Sequence, residues 1–246
     1  SAPSREVDTL IQALNTASRR LQEQEAAIGR SLQQQEWRSR IYAAMALGEP
    51  THTILALVVR GLEEDVPGTL AAVMVKDKEG KRLYHAAAPS LPEFYRDAVE
   101  GLVIGEGMGS CGTSAFRGQR VIVEDMHGHP YWESFREITD RAGLRACWSE
   151  PILDDQGRVL GPLPLYPRVP ASPTPSQLDL LQQAANLVTI LLRRQRNEEA
   201  LLLASSVYQS SGEAITVTDE NNRIIAVNPA FSRVTGYGPD EVIGKN

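Results

Sequence analysis

The spacing of glycines between residues 105 and 112 restricts the local backbone more than any other feature of the chain. Glycines occupy positions 105, 107, 109 and 112 within the run GEGMGSCG. No regular helix or strand tolerates this density, so the backbone there must turn tightly or pass close to another group. A short helix over Thr113–Arg117 is expected to follow, and the apolar, β-branched run Val121–Val123 predicts a buried strand.

The residues after this strand predict the remaining walls of a concave site. A polar turn, His127–Pro130, leads to an aromatic helix, Tyr131–Arg141, and then to a second strand, Arg145–Ile152. A glycine-rich lip, a buried strand, a helix and another strand enclose a pocket by ordinary α/β construction. We therefore expect the functional site of this chain to lie between residues 105 and 152.

Composition limits the class of protein. The 246 residues suffice for one or two domains, and 42% apolar with 23% charged residues is typical of a soluble globular protein. A net charge of -6 without a basic stripe argues against nucleic acid as a partner. The longest apolar runs are too short for a bilayer, and no signal-peptide pattern is present. Only two cysteines, Cys111 and Cys147, occur, which fits a reducing cytoplasm and no membrane association.

The first 47 residues predict one long helix. Residues 5–47 contain no proline, and one apolar seam repeats every seven residues while the opposite seam is weak and polar. The strong seam consists of Val7, Leu14, Leu21 and Ile28. Two interpretations stay open: an amphipathic helix packed on its own domain, or the parallel two-stranded coiled coil of a homodimer, which we favour. Pro50 ends this helix because its predecessor cannot stay helical.

Shorter elements are predicted downstream. Thr51 should cap the next helix, Leu70–Val75 should be a central strand, and a hairpin should join it to Arg82–Ala87. A helix over Glu93–Gly101 should turn Phe94, Ala98 and Leu102 inward.

A second hairpin, Asp154–Gly157, precedes a proline-rich stretch and a long helix. Pro162, Pro164 and Pro167 cannot donate to a sheet ladder, so we expect an edge, a bulge or a disrupted strand there. The last long helix should begin at Ser176. Its predicted apolar face consists of Leu178, Leu181, Ala185, Val188 and Leu192.

The motifs of the central region resemble those of GAF domains, the small-molecule sensor modules of multidomain histidine kinases and cyclic-di-GMP enzymes. The corresponding segments are Gly107–Thr113, Val121–Asp125, Pro130–Trp132, Gly143–Ile152 and Gly157–Gly161. One departure is His129, where the family usually has Asp. The resemblance implies an α/β (α+β) fold, with an antiparallel sheet that carries helices on both faces.

The tail resembles the front of a PAS domain, on the motifs N-x-A-F, T-G-Y and E-x-I-G. Asn228, Phe231, Tyr237 and Glu241 stand at matching positions after a predicted hairpin, Ala214–Val227. About half of such a domain is present, so we expect it not to be stable alone. The expected organisation is a signalling helix (1–48), a GAF domain (49–194), a linker helix (195–206) and a partial PAS domain (207–246), with any output domain beyond residue 246.

The candidate ligand site combines a helix start with aromatic side chains. Backbone N–H groups at the start of the helix suit an anionic or carbonyl-bearing small ligand, because the positive end of the helix lies there. The aromatic residues also fit plain core packing. The candidate ligand-binding residues are Gly109, Ser110, Cys111, Gly112, Thr113, Asp125, Trp132, Phe135 and Trp148.

No cofactor can be assigned from the sequence. Asp125, His127 and His129 have the residue types of a metal cluster, but solvated turn residues are the better interpretation because no fourth ligand is evident. Nothing marks His52 or His85 as a haem ligand. In bilin-binding relatives the attachment cysteine is usually followed by His, whereas Trp148 follows Cys147.

Two alternatives to a ligand sensor remain open. The first is a GAF-fold thiol reductase acting on free methionine sulfoxide through Cys111 and Cys147, which echoes the order of motifs in those enzymes. The second is a ligand-free dimerisation module. We favour the sensor, with no catalytic residue in this chain.

Overall fold

The computed structural model describes residues 36–246, together with residues 12, 15–20, 22, 24 and 29 upstream. The strong heptad seam predicted for the first helix lies outside the described residues. Among the described helices, none is both long and apolar enough to cross a membrane.

The described chain alternates helices and strands. The helices are α1 (36–46), α2 (Thr51–Asp65), α3 (Glu93–Val99), α4 (Gly109–Arg117), the 3-10 helix Pro130–Phe135, α5 (Arg136–Ala142), α6 (Pro175–Ser210), α7 (Pro229–Thr235) and α8 (Pro239–Val242). The strands are β1 (Thr69–Ala71), β2 (Val73–Lys76), β3 (Arg82–Ala87), β4 (Leu102–Val103), β5 (Val121–Val123), β6 (Cys147–Leu153), β7 (Val159–Pro167), β8 (Thr216–Thr218) and β9 (Ile224–Val227).

Two antiparallel sheets form the centre of the first compact unit, residues 1–191. One has the strand order β1-β7-β6-β5 and the other β2-β3-β4. The single strand predicted over Leu70–Val75 is thus divided at Ala72 between the two sheets, and Ala72 N–H donates to the Pro164 carbonyl at 3.1 Å. The backbone of β2 then passes directly over Gly161, where a Cβ would lie 2.0 Å from the Met74 carbonyl oxygen.

The proline-rich strand β7 lies inside the sheet, between β1 and β6, so of the three expected arrangements the edge strand is wrong. The expected irregularity is present, because the β6–β7 register shifts between Ile152 and Leu153. Because Pro164 presents its carbonyl to Ala72, the side of Pro164 that lacks an N–H faces the junction of β1 and β2. Pro162 is two residues away and faces the same side. The N–H groups that Pro162 and Pro164 lack would therefore point to the junction of β1 and β2, where strand pairing is already interrupted. The hydrogen bonds between β7 and β6 do not depend on them.

Two local predictions about helices are corrected. Thr51 is the first residue of α2 instead of its cap, because Pro50 occupies the N-cap position without a side-chain bond. In α3 the buried residues are Tyr95 and Val99, whereas Ala98 is exposed. The helix is shorter than predicted and its inward face is turned by about one residue.

Helix α1 packs against α2, and a side-chain bond connects it to α6. The Trp37 ring covers Gly61 of α2, and its Nε1–H donates to Asp65 at 2.8 Å. Arg38 donates to the side chain of Gln183 on α6. The apolar face predicted for α6 is confirmed, since Leu181 and Val188 are fully buried.

The second compact unit, residues 192–246, contains the end of α6, the β8–β9 hairpin, α7 and α8. Its organising residue is Asn228, which is buried and caps α7 by accepting from the Phe231 N–H at 3.0 Å. The Asn228 amide also donates to the carbonyls of Tyr208 and Glu213, at 3.1 and 2.9 Å. The predicted strand, turn, strand and helix order of the tail is confirmed.

Candidate functional site

A small, partly open cavity lies between the sheets, α3, α4 and the 3-10 helix. Its volume is ≈ 10 Å³, the space that about one water molecule needs. None of its lining residues carries a formal charge. They are Met74, Tyr95, Val99, Leu102, Gly109, Cys111, Trp132, Phe135 and Tyr166.

The glycines before and within α4 allow this helix to begin beside the cavity. Gly107 and Gly109 have φ values of 78° and 60°, a region that residues with a Cβ rarely adopt. A Cβ at Gly112 would lie 2.7 Å from the Val103 carbonyl oxygen, so only glycine permits this approach of α4 to β4. The predicted tight turn and close approach are confirmed, although α4 begins at Gly109, four residues before the predicted start.

Side chains of α4 hold the glycine-rich loop and the cover of the cavity. The Thr113 hydroxyl donates to the Gly109 carbonyl at 2.7 Å and accepts from the Gly107 N–H at 3.1 Å. The fully buried Ser110 hydroxyl accepts from Trp132 Nε1–H at 3.2 Å. Thr113 thus stabilises the glycine-rich loop before α4, while Ser110 holds the Trp132 indole that lines the cavity.

The inner wall of the cavity is a group of buried, neutral hydrogen-bonding side chains. The rings of Tyr95 and Tyr166 meet edge to face with centroids 5.8 Å apart. The Tyr166 hydroxyl lies 3.3 Å from the Cys111 sulfur. Burial raises the pKa of both tyrosines well above the ordinary value, so their hydroxyls stay protonated at neutral pH. A ligand in this cavity would meet neutral donors and acceptors on an aromatic surface.

Residues 130–142, the 3-10 helix and α5, form a cover that we call the lid. Trp132 and Phe135 of the lid pack edge to face at 6.0 Å and point into the cavity. The aromatic helix predicted over Tyr131–Arg141 is therefore two successive helices. Residues three positions apart lie on the same face of a 3-10 helix, so both aromatic rings face the same cavity.

Three side chains, which we call the latch, connect the lid to both ends of the α4 region: Glu106 and Arg117 are exposed, and Tyr131 is partly buried. Arg117 Nε–H donates to Glu106 at 2.9 Å, the Tyr131 hydroxyl donates to Glu106 at 2.9 Å, and Arg117 Nη2–H donates to Tyr131 at 3.0 Å. The hydrogen bonds from Arg117 and then Tyr131 hold the pKa of the Glu106 carboxyl below its usual value. The latch joins the loop before α4, the end of α4 and the lid.

Four of the nine predicted site residues, Gly109, Cys111, Trp132 and Phe135, line the cavity. Ser110, Gly112 and Thr113 lie on α4 without lining the cavity, and Trp148 and Asp125 lie elsewhere. Trp148 does not line the cavity: successive residues of β6 face opposite sides, and Trp148 Nε1–H donates to the Ala171 carbonyl at 3.0 Å. Asp125 is exposed, where it accepts from Arg145 and from the His127 N–H at 3.0 Å. The His127 bond, more than Arg145, lowers the pKa of Asp125.

The histidines weighed as metal ligands have other partners. His127 pairs with Asp140 at 3.3 Å, and His129 Nδ1 accepts from the Tyr131 N–H at 3.2 Å at the start of the lid. His85 Nδ1 pairs with Glu100 at 2.6 Å. In the part of the chain that the structure describes, no three His, Cys, Asp or Glu side chains are arranged to hold a metal ion.

Sequence reasoning missed Tyr95 and Tyr166, the two residues that bring hydroxyl groups to the cavity. Tyr95 was missed because the sequence predicted Phe94 and Ala98, each one residue before the buried Tyr95 and Val99, as the inward face of α3. Tyr166 belongs to the proline-rich strand that was expected at an edge. A tyrosine within an otherwise apolar interior strand is the signal that would have pointed to a buried hydroxyl.

The structure thus contains an α/β domain with two antiparallel sheets and a lidded cavity, a long helix and a second small unit. Residues 48–193 match the family model described as GAF domain, and the chain belongs to this family. Residues 203–246 match the model described as PAS fold. These domain types are those of signal-transduction sensors.

Known relatives agree with this assignment. The chain is 31% identical over 210 residues to the methyl sulfide methyltransferase-associated sensor of Methanosarcina acetivorans, a match covering 83% of this chain and 21% of that protein. The chain thus spans about a fifth of the length of this curated relative. The GAF domain of a phosphoenolpyruvate-protein phosphotransferase from Coxiella burnetii is similar in fold, with TM-score 0.57, 18% identity and coverage of 70% of this chain and 96% of that one. Free methionine-R-sulfoxide reductase from Neisseria meningitidis has TM-score 0.51, 20% identity and coverage of 67% and 91%, which shows the fold alone.

Proposed function

We propose that this chain is the sensory part of a signalling protein, and that its GAF cavity binds a small cytoplasmic ligand. Membership of the GAF family and the sensor name of the archaeal relative support this role. The observation that carries the proposal is the cavity itself, which neutral hydroxyl and thiol groups line beneath a lid. The organisation into helix (1–48), GAF domain (49–194), linker (195–206) and partial PAS domain (207–246) belongs to the same proposal.

Binding requires the lid to move, because the cavity is smaller than a metabolite. Trp132 and Phe135 occupy the space that a ligand would take. The ion pair of the latch is exposed to solvent, and exposed ion pairs contribute little to stability, so lid displacement is accessible. A ligand would then replace the aromatic contacts of the lid and meet the hydroxyl of Tyr166.

A route from this site to α6 runs through Arg120, just beyond the end of α4. Arg120 donates to the buried Glu150 of β6 and, at 3.3 Å, to Gln182 of α6. The Thr189 hydroxyl of α6 donates to the Leu153 carbonyl of β6 at 2.9 Å. We propose that displacement of α4 shifts α6 through these bonds, toward the PAS unit and an output domain outside this sequence. Such a shift needs a ligand that binds one arrangement better than the other.

The proposal includes a homodimer through the terminal helices. A groove of ≈ 250 Å³ between α1 and α6 is flanked by Tyr42, 60% exposed, and Ile190, 55% exposed. Exposed apolar residues beside a groove suit association with a like surface.

The test compares retention of small molecules by matched variants. Wild-type protein, Val99→Phe and Val103→Phe are incubated with a bacterial metabolite extract, desalted and analysed by mass spectrometry of the released small molecules. Val99 lines the cavity, whereas Val103 is 41% exposed on β4. We expect wild type and Val103→Phe to retain a common compound that Val99→Phe loses. Equal retention by all three, or none by any, contradicts a ligand in this cavity and favours the dimerisation module.

The thiol reductase is the second candidate, favoured by the shared burial of Cys111 and Cys147 in one core. Its test is turnover of free methionine sulfoxide by wild type and by Cys147→Ser. Activity that disappears in the variant would replace the sensor proposal.

A further inference from the structure

The only two cysteines of this chain lie together beside the cavity. Cys111 projects from α4 and lines the cavity, and Cys147 is the first residue of β6. The β6–β7 register pairs Trp148 with Leu165, which places Cys147 beside Tyr166. Since the Tyr166 hydroxyl is 3.3 Å from the Cys111 sulfur, one tyrosine neighbours both thiols.

Both thiols are shielded from solvent, with 2% and 0% exposure for Cys111 and Cys147. Each acts on the ionisation of the other. Hydrogen bonding from Cys147, and further from Tyr166, lowers the pKa of Cys111, whereas burial raises the pKa of Cys147 well above its usual range. The two cysteines are therefore unequal, and Cys111 is the better nucleophile of the pair.

We propose that Cys111 and Cys147 form a site of reversible oxidation, at which hydrogen peroxide converts the two thiols into a disulfide between α4 and β6. Nothing in this proposal depends on a ligand in the cavity. It adds a modification site to the sensory role and uses a pair of groups that ligand binding alone does not require.

The reaction balances in two steps. The Cys111 thiolate attacks one oxygen of hydrogen peroxide, the O–O bond breaks, and a sulfenic acid forms while hydroxide leaves and is protonated to water. The Cys147 thiolate then attacks the Cys111 sulfur, the S–O bond breaks, and hydroxide leaves with the proton that Cys147 released. Two thiols and one peroxide give one disulfide and two water molecules.

The size of the cavity selects the oxidant. Space for about one water molecule beside Cys111 suits hydrogen peroxide, which is only slightly larger, and excludes bulky thiol reagents until the lid moves. The folded protein should therefore react with peroxide while it resists an alkylating agent such as N-ethylmaleimide.

A disulfide here would alter the part of α4 that holds the lid. Ser110 precedes Cys111 and accepts the Trp132 indole bond, so a shift of Cys111 toward β6 moves the acceptor of that bond. Oxidation should therefore change the environment of Trp132, which its fluorescence reports.

The experiment treats the folded 246-residue chain with hydrogen peroxide, quenches in acid, unfolds it and alkylates the remaining thiols. Wild type should lose both free thiols, show a mass lower by two hydrogen atoms within a single chain, and regain both thiols with dithiothreitol. Cys147→Ser should give a sulfenic acid on Cys111 that dimedone traps once the chain is unfolded. Cys111→Ser should stay unmodified. Cys111→Ala and Cys147→Ala, checked for folding by circular dichroism, replace any serine variant that fails to fold.

Three results would overturn the proposal. The first is two free thiols in wild type after peroxide has oxidised glutathione present in the same tube. The second is a disulfide that joins two chains instead of residues 111 and 147 of one chain. The third is disulfide formation no faster in the folded chain than in urea, because the folded arrangement would then bring the thiols no closer than random loop closure does.

Discussion

Trp132 of the lid donates its indole N–H to the hydroxyl of Ser110, the second residue of α4, at 3.2 Å. Both side chains are buried, so neither group has water as an alternative partner. This buried bond joins the lid to the first turn of α4, whereas the bond from Arg117 to Tyr131 joins the lid to the end of the same helix.

Removal of this bond should destabilise the domain. Ser110→Ala leaves the buried indole N–H without an acceptor, which we expect to lower the free energy of unfolding by about 1–3 kcal/mol. Urea denaturation measures this change. In the double variant with Trp132→Phe the loss should be smaller than the sum of the single losses, because the orphaned donor is gone. Strict additivity would show that the two residues do not interact.

The lid should loosen in acid. The folded-state pKa of Glu106 is lowered from 4.5 by Arg117 and Tyr131, so its contribution to stability is present above pH 4.5 and is lost as pH falls through the folded pKa. Fluorotryptophan ¹⁹F NMR should show the Trp132 resonance shifting below pH 4.5, before global unfolding. Glu106→Gln should remove this step. Asp154→Asn, at a carboxyl whose pKa is also lowered but in the hairpin before β7, is the matched control. A step that survives in Glu106→Gln assigns the acid response to another group.

Gly161 should be intolerant of any side chain. A Cβ there would lie 2.0 Å from the Met74 carbonyl oxygen, which belongs to the backbone and cannot rotate away. We expect Gly161→Ala to cost about 3 kcal/mol or more, or to abolish soluble expression. Gly128→Ala is the control because no atom lies within 4 Å of its added methyl group. Thermal unfolding of both variants checks the difference, and equal melting temperatures would show that β2 does not pass over Gly161 in solution.

The groove between α1 and α6 should govern association. We expect Ile190→Glu to convert a wild-type dimer into a monomer, because a buried carboxylate without a partner is costly. Val169→Glu changes an equally exposed apolar residue outside this groove and should leave the dimer intact. Light scattering coupled to gel filtration gives the mass of each. A dimeric Ile190→Glu would place the interface elsewhere.

Much of the site could be predicted from local signals. Glycine density predicted a tight turn or a close backbone approach near residues 105–112, since both depend on the backbone alone, but it placed the start of α4 four residues too late. Gly109, Cys111, Trp132 and Phe135 lie at the cavity as expected. The prediction that Trp148 lines the cavity is wrong. Neighbouring residues on a strand face opposite sides, and the sequence does not show whether Cys147 or Trp148 faces the cavity.

Other features depend on contacts between distant segments. The division of the predicted strand at Ala72 follows from pairing with β7 on one side and β3 on the other. Tyr95 and Tyr166 could not be told from ordinary core residues, because burial has the same periodicity whether a side chain meets another side chain or a cavity.

Pro162 and Pro164, two of the three prolines of β7, also determine how β7 aligns with β6. A slip of one residue along β6 would turn Pro162 and Pro164 toward β6, and each would then remove a hydrogen bond from the centre of the sheet. Only one alignment keeps these bonds, and that alignment sets Tyr166 beside Cys147. The rings of Pro162 and Pro164 thereby determine the position of the Tyr166 hydroxyl. An insertion upstream of residue 159 would therefore lengthen the Asp154–Gly157 turn and leave Tyr166 in place.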